Sequence, residues 1–458
     1  MNKKSLIIIF TISLILNSVA AVSGQKIAGG AGTCPDCIDG EVVFELVPGN
    51  TIGAIATQYG LNPTPLSSVG SPVTYRMSIT NGSTPQQVVA AMAGDARIAK
   101  AEVNRKMSVV ERPGLPWTLG RSWAIGRSWA IGSSSKAYGK NWFQEKIRLN
   151  QAHAVTKGAG QIVAVLDTGI DPNHPIFEGK LVAGFDFVDG DSDPSEEGSF
   201  YTNPVFGHGT HVAGIVAQTA PDAKIMPLRV LDSNGEGSMW RISEAIIWAA
   251  QHGATVVNIS FGYPDNPRFL KDILEAADDG TTIDGKTIAG LQNLVVVSGA
   301  GNGGNSTHIF PAGDRIDAQV GVAASNRQDK LWEFSTMSPR DDRQIRVIAP
   351  GEAIVSSIPN GRFATWSGTS MAAPVVAGVA ALVRAHRGTS AFATKDILEE
   401  SGIEWDCFLS SRGYEIRAKR IDAFCAINNN QACGVNPSAC TAAIRPVSMF
   451  DGKMTRPE

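Results

Sequence analysis

The 458-residue sequence predicts an α/β protein: a three-layer, doubly wound, mostly parallel sheet, preceded by a small α+β unit of ferredoxin-like pattern. Three observations point there. From about residue 138 onward, short continuous apolar runs alternate with helical stretches, as strands buried on both faces require. Ahead of them, strand and helix patterns follow one another in short succession over residues 41–110. The 48 glycines suit a fold with many tight loops. With 43% apolar and 18% charged residues the chain is not disordered, and a net charge of −3 gives no basic footprint for nucleic acid.

The first element is "MNKK" followed by "SLIIIFTISLILNSVAAV", a basic stretch and an apolar run closing on small residues. This predicts a secretory signal over residues 1–24, removed between Ala20 and Gln25, and an extracellular or periplasmic protein. An uncleaved membrane anchor is the rival reading, because the run approaches spanning length. Six cysteines fit export. Cys34 and Cys37, in "CPDC", lack the context of a redox or zinc motif and read as a small disulfide. Cys407, Cys425, Cys433 and Cys440 allow three pairings, among which the sequence does not choose.

Residues 25–112 form the small unit. "EVVFELVPG" reads as a strand, "TIGAIATQYG" as a helix, "VTYRMSIT" as a strand, "TPQQVVAAMAGD" as a helix and "IAKAEVN" as a strand. Pro85 stands where a helix N-terminus accepts it. A Gly-, Ser- and Pro-rich linker follows over 113–137, with "RSWAIG" at 121–126 repeated at 127–132. The large unit spans 138–427, and a cysteine-bearing tail covers 428–458. Its strands are "QIVAVLD", "AKIMPLRVL", "ATVVNIS", "NLVVVSG" and "AQVGVAA". In "SMWRISEAIIWAAQHG", Ile242, Ala245, Ile246, Ala249 and Ala250 share one helical face, and Gly253 supplies a stop.

Candidate chemistry lies at the carboxyl ends of these strands. Asp167 ends "IVAVLD". His208 opens a helix in "GHGTHVAG". Ser370 precedes a run of small apolar residues in "WSGTSMAAPVVAG". Pro374 places the helix start at about Ser370, on the premise that a proline belongs in the first turn. Such a start puts the Ser370 hydroxyl at the positive end of a helix dipole, where a developing anion is stabilised. Aspartate, histidine and serine are the parts of a nucleophilic triad: the histidine takes the serine proton and the aspartate fixes its tautomer. Asn302, after "NLVVVSGAG", offers a side-chain amide to the same oxyanion.

"AVLDTGID", "GHGTHVAG" and "GTSMAAP" resemble the three active-site signatures of the subtilisin-like serine proteases, in the family's order, and the resemblance spans about residues 140–427. It implies a triad of Asp167, His208 and Ser370, with Asn302 as oxyanion donor. It implies substrate edges at "SFG" (Ser260, Phe261, Gly262) and at "NGEG" (Gly235 and Gly237), pairing with an extended peptide. Gly299, Ala300 and Gly301 would line an open pocket before the scissile bond, favouring broad or large apolar side chains. Residues 41–110 resemble the family's propeptides in element order, implying an inhibitor and folding helper cut away within about 111–138. The implied function is secreted serine endopeptidase, with protein or peptide substrates, the propeptide as inhibitor, and a monomer in solution. Alternatives are an esterase or peptide ligase using the same triad, and a catalytically inactive binding protein that kept the fold.

No cofactor is required by this chemistry, and calcium stays open. The family's tight calcium site is expected to be missing, since Ile176 follows His174-Pro175 where an aspartate would stand, and "HVAGIVAQTAPDAK" carries no inserted loop. The acidic loop within 185–198, "DFVDGDSDPSEEG", offers oxygen ligands or is simply solvated. "HGTH" has the spacing of a zinc pair but no third ligand, so core packing competes. "GAGNGG" at 299–304 matches a dinucleotide loop, yet "NSTHIFPAG" after it opens no helix.

Overall fold

The computed structural model describes residues 34–69, 73–109, 130–203, 205–279, 290–316, 318–342, 344–409 and 412–428. The expected signal, the first "RSWAIG" copy, most of the linker, Cys433, Cys440 and the tail beyond Asn428 lie outside the described residues.

The small unit is a four-stranded antiparallel sheet with two helices. Ile98–Val109 lies beside Cys37–Leu46, followed by Thr74–Ser78 and Ser67–Val69. The short strand Ser67–Val69 is absent from the sequence reading, and it completes the ferredoxin-like order. Helix Pro85–Met92 starts on a capping box: Thr84 Oγ1 accepts from Gln87 N–H while Gln87 Oε1 accepts from Thr84 N–H. Val42, Phe44, Ile55, Met77, Val88 and Met92 form this unit's own core. Cys34 and Cys37 are disulfide-bonded, as "CPDC" predicts.

The large unit is built on a nine-stranded sheet. Its order is Ile403–Leu409, Tyr414–Arg420, Ile345–Pro350, Gln319–Ser325, Val295–Gly299, Val256–Ile259, Ile162–Asp167, Lys224–Arg229 and Phe185–Asp186. Every pair is parallel except the edge hairpin Ile403–Leu409 with Tyr414–Arg420. Alternate residues of each strand serve opposite faces. Val163, Val165, Val297 and Val322 pack with helices His208–Thr219 and Thr369–Arg387. Ala164, Leu166, Val257 and Val296 pack with helices Met239–Gln251 and Arg268–Asp279. Burial on both faces explains the continuous apolar runs, each such side chain contributing about 1.5–3 kcal/mol. Thr369–Arg387 is long and apolar enough to cross a membrane, but 89% of that window is buried inside the protein, where it forms the core helix.

The helix carrying Ser370 starts one residue earlier than the sequence predicts, at Thr369, and Pro374 therefore lies in its second turn. A proline there leaves the Ser370 carbonyl without its usual N–H donor. The hydroxyl of Ser260 fills the gap, donating to Ser370 O at 3.1 Å. The premise that Pro374 belongs in the first turn is corrected by this side-chain substitute for a backbone bond.

Candidate active site

Asp167 ends the interior strand Ile162–Asp167, third from one edge of the sheet, and is 1% exposed. The next residues pass close over the first turn of the neighbouring helix. A Cβ on Gly209 would sit 2.1 Å from Gly169 O and 3.0 Å from the Asp167 Cβ, so only glycine permits the approach. Gly207, at φ +89°, turns the chain into helix His208–Thr219. His208 Nδ1 then lies 2.7 Å from Asp167 Oδ1, which also accepts from Thr168 N–H at 2.8 Å. An ionised aspartate accepts only, so the histidine proton belongs on Nδ1 and Nε2 is the basic nitrogen.

Ser370 and Ser260 are joined twice: Ser370 Oγ donates to Ser260 O at 3.0 Å, and the Ser260 hydroxyl returns the bond to Ser370 O. Asn302 is anchored to the same helix start. Its Oδ1 accepts from Thr369 N–H at 2.9 Å and from Thr369 Oγ1 at 3.1 Å. With Oδ1 committed to Thr369, Nδ2 is the end of the amide turned the other way. The two halves of the site meet at Trp366, which stacks on His208 and lies on the strand leading into the Ser370 helix. His208 and Ser370 are both fully buried in this chain.

The expected substrate edges are occupied by the chain itself. The strand Ile98–Val109 leaves the small unit and runs antiparallel between Glu236–Ser238 and Phe261–Gly262. Met107 faces Gly237, Ser108 faces Glu236 and Gly262, and Val109 faces Phe261. Val109 N–H donates to Gly235 O at 3.2 Å. A Cβ on Gly262 would meet Phe310 O at 2.7 Å, so this edge must be glycine. The Phe261 side chain is buried in the core, which leaves its backbone for pairing. Gly299 packs against Thr369, Gly301 N–H donates to Thr369 Oγ1 at 3.1 Å, and Ala300 is buried.

The competing readings resolve on geometry. His211 is fully buried, stacks on Trp366 at 4.4 Å between centroids, and burial holds its pKa well below the usual histidine value. That is core packing. Among the described residues no helix follows "GAGNGG" before the strand Gln319–Ser325. In the acidic loop, Asp186, Asp189 and Glu197 all converge on the Arg229 guanidinium, with Asp186 at 2.6 Å and Glu197 at 2.7 Å. A cation is already in place there, and the residues do not fit a calcium ion. Among the described residues no other group of three or more acidic, histidine or cysteine side chains gathers to hold a metal.

Several contributing residues carry no signature in the sequence. Asn104 Oδ1 accepts from Trp240 N–H at 3.3 Å, and Glu102 accepts from Arg268 and Phe269 N–H at 3.2 and 2.7 Å. Both reach from the small unit to helix starts of the large one. Lys100 pairs with Asp272 at 2.9 Å, and Tyr263 Oη donates to Asp36 Oδ2 at 3.0 Å.

Comparison with known proteins agrees with this geometry. The subtilase family profile matches residues 158–401. Over 284 residues the chain is 37% identical to the thermophilic serine proteinase of Bacillus sp. strain AK1, covering 60% of this chain and 63% of that protein. It is 35% identical to thermitase of Thermoactinomyces vulgaris, covering 64% of this chain and 96% of thermitase. In fold it resembles fervidolysin from Fervidobacterium pennivorans, with a TM-score of 0.66 at 23% identity, over 88% of this chain and 63% of that one. A sheet with an Asp–His hydrogen bond at its carboxyl edge, a serine heading the adjacent core helix and these matches lead to one conclusion: the chain belongs to the subtilase family of serine peptidases.

Proposed function

We propose that this chain is the precursor of a secreted serine endopeptidase, held inactive by its own N-terminal unit. The observation that carries the reading is the Asp167–His208 hydrogen bond beside a helix-heading serine, with the strand Ile98–Val109 lying across the groove that leads to it. In the reaction His208 Nε2 takes the proton of Ser370 Oγ, which exchanges its present bond to Ser260 O for one to the imidazole. The oxygen attacks a peptide carbonyl. Asp167 stabilises the imidazolium, and the amide of Asn302 with the Ser370 N–H receives the oxyanion. The imidazolium protonates the leaving amine, and water activated by the same histidine releases the acyl group. The steps require no cofactor.

Substrate binds as the strand Ile98–Val109 does, by adding a strand between Gly235–Gly237 and Ser260–Gly262, with Gly299, Ala300 and Gly301 bounding the pocket before the cut bond. The N-terminal unit is then a product-like inhibitor. Maturation cleaves beyond Val109, within the linker range of about 111–138 that the sequence predicts, and frees a monomeric enzyme. A fluorophosphonate probe tests the reading: labelling of Ser370 in the matured protein, abolished in Ser370→Ala and in His208→Ala, is the expected result. Unlabelled protein that still binds peptides would support the inactive binding module instead. N-terminal sequencing of secreted, active protein distinguishes an inhibitor from a permanent domain, since an intact N-terminal unit with full activity would overturn the former.

A further inference from the structure

The sequence offers "DFVDGDSDPSEEG" as a metal loop or a solvated one, and most of its acids serve Arg229 or local turns. Glu196 does neither. Its backbone N–H donates to Ile170 O at 3.0 Å, which lays the loop across Gly169. A Cβ on Gly169 would meet Pro194 O at 2.8 Å and Ser195 O at 2.9 Å. This crossing delivers the Glu196 carboxylate behind the triad. There Thr168 Oγ1 donates to both of its oxygens, at 3.2 and 3.1 Å. Gly207 N–H reaches Oε2 at 3.1 Å, and Thr210 donates to Oε1 from its N–H at 3.0 Å and its hydroxyl at 3.1 Å.

Thr168 follows Asp167, while Gly207 and Thr210 flank His208 in sequence. The Thr168 hydroxyl also accepts from Gly209 N–H at 3.0 Å, which closes the ring of contacts. The carboxylate therefore spans the two segments whose separation sets the Asp167–His208 distance. It also supplies an anion to free N–H groups at the start of the His208 helix, which its N-cap Gly207 has no side chain to satisfy. The Gly207 and Thr210 N–H groups can only donate, and the ionised acid accepts from them and from both hydroxyls at once.

We propose that Glu196 is a positioning residue for the reaction, clamping the Asp167 segment to the first turn of the His208 helix so that the imidazole is held on Asp167 Oδ1. The proposal rests on the hydrolytic reading above. It assigns part of the rate to a side chain that touches neither substrate nor the reacting atoms. Small losses of alignment are expensive in an assembled site, on the order of a hundredfold for a displacement of about 1 Å.

The test is Glu196→Gln in the matured enzyme, which keeps the shape but turns an NH2 group toward the N–H and hydroxyl donors. We expect kcat to fall about ten- to a hundredfold with KM changed by less than about twofold. The low-field proton resonance of His208 Nδ1–H should shift or broaden in the same variant. Thr168→Val, which removes only the bridging hydroxyl, should lose part of the same rate, and it serves if Glu196→Gln does not fold. In an Asp167→Asn background, Glu196→Gln should cost less than about twofold more, because the alignment it protects is already lost. Wild-type kcat and an unmoved resonance in folded Glu196→Gln would overturn the proposal, as would full additivity with Asp167→Asn. Loss of activity in the wild type itself would defeat the hydrolytic reading instead, so the two failures are separable.

Discussion

Two glutamates of this chain sit at helix starts, each desolvated, and they are wired differently. Glu196 belongs to the large unit and takes donors from two segments of it: Thr168 on one side, Gly207 and Thr210 on the other. Glu102 belongs to the small unit and, among the described residues, takes the Arg268 and Phe269 N–H groups of the unit it docks on. Burial raises both carboxyls above their ordinary value, Glu102 to about 7. Backbone N–H donors offset that rise at each, and Asp167 adds to it at Glu196 as Asp272 does at Glu102. On the proposed maturation, a shared physical device serves a permanent joint in one place and a detachable one in the other. The difference lies in whether the acceptor and its donors would stay in one unit if the chain is cut as proposed.

The comparison breaks most visibly if the chain cannot be cut. Ser370→Ala should lose proteolysis by several orders of magnitude and accumulate as full-length chain with both glutamates still seated, which gel electrophoresis of the secreted protein checks. The permanent joint is next. Arg229 is 2% exposed and holds Asp186, Asp189 and Glu197, the last adjacent to Glu196. Arg229→Met leaves Asp186 buried without its cation and should cost about 3–5 kcal/mol in denaturant unfolding, whereas a calcium chelator should leave the wild-type melting temperature unchanged.

The detachable joint should respond to pH. Glu102 titrates near 7 when docked, against an ordinary value near 4.5 once the unit is free. The docked state thus holds the extra proton between those values, and its contribution to docking strengthens as pH falls through 7 and is weakest above it. Arg105 pulls the docked value down and Asp272 pushes it up. Inhibition constants of the isolated small unit against matured enzyme should therefore be lower at pH 5.5 than at pH 8, and Glu102→Gln should flatten that slope. Least is expected of Lys100→Ala: its pair with Asp272 is a third exposed on the lysine side, and its loss should weaken docking by about 1 kcal/mol or less.

How much of this was legible in the sequence follows from where the information is stored. Strands such as Ile162–Asp167 and Val295–Gly299 are apolar at every position because both faces are covered, and that is a local property. Asp167 and His208 announce themselves through glycines that the close crossing of Gly169 and Gly209 demands. By contrast the hairpin Ile354–Ile358 with Arg362–Trp366, and the edge hairpin beyond it, depend on partners that periodicity does not name. The bond from Ser260 to Ser370 O spans 110 residues, so no local rule permits Pro374 in a second turn. Glu196 and Glu197 are neighbours of identical chemistry; one faces Thr168 and the other Arg229, and only the fold separates them.

The strand Ile98–Val109 has one further consequence. While it shares a covalent backbone with the groove it fills, its local concentration is set by geometry, and diluting the protein cannot empty the groove. The cut proposed above would convert that fixed occupancy into an ordinary bimolecular equilibrium. From then on the volume into which the molecule is released governs how fast it becomes available to other chains.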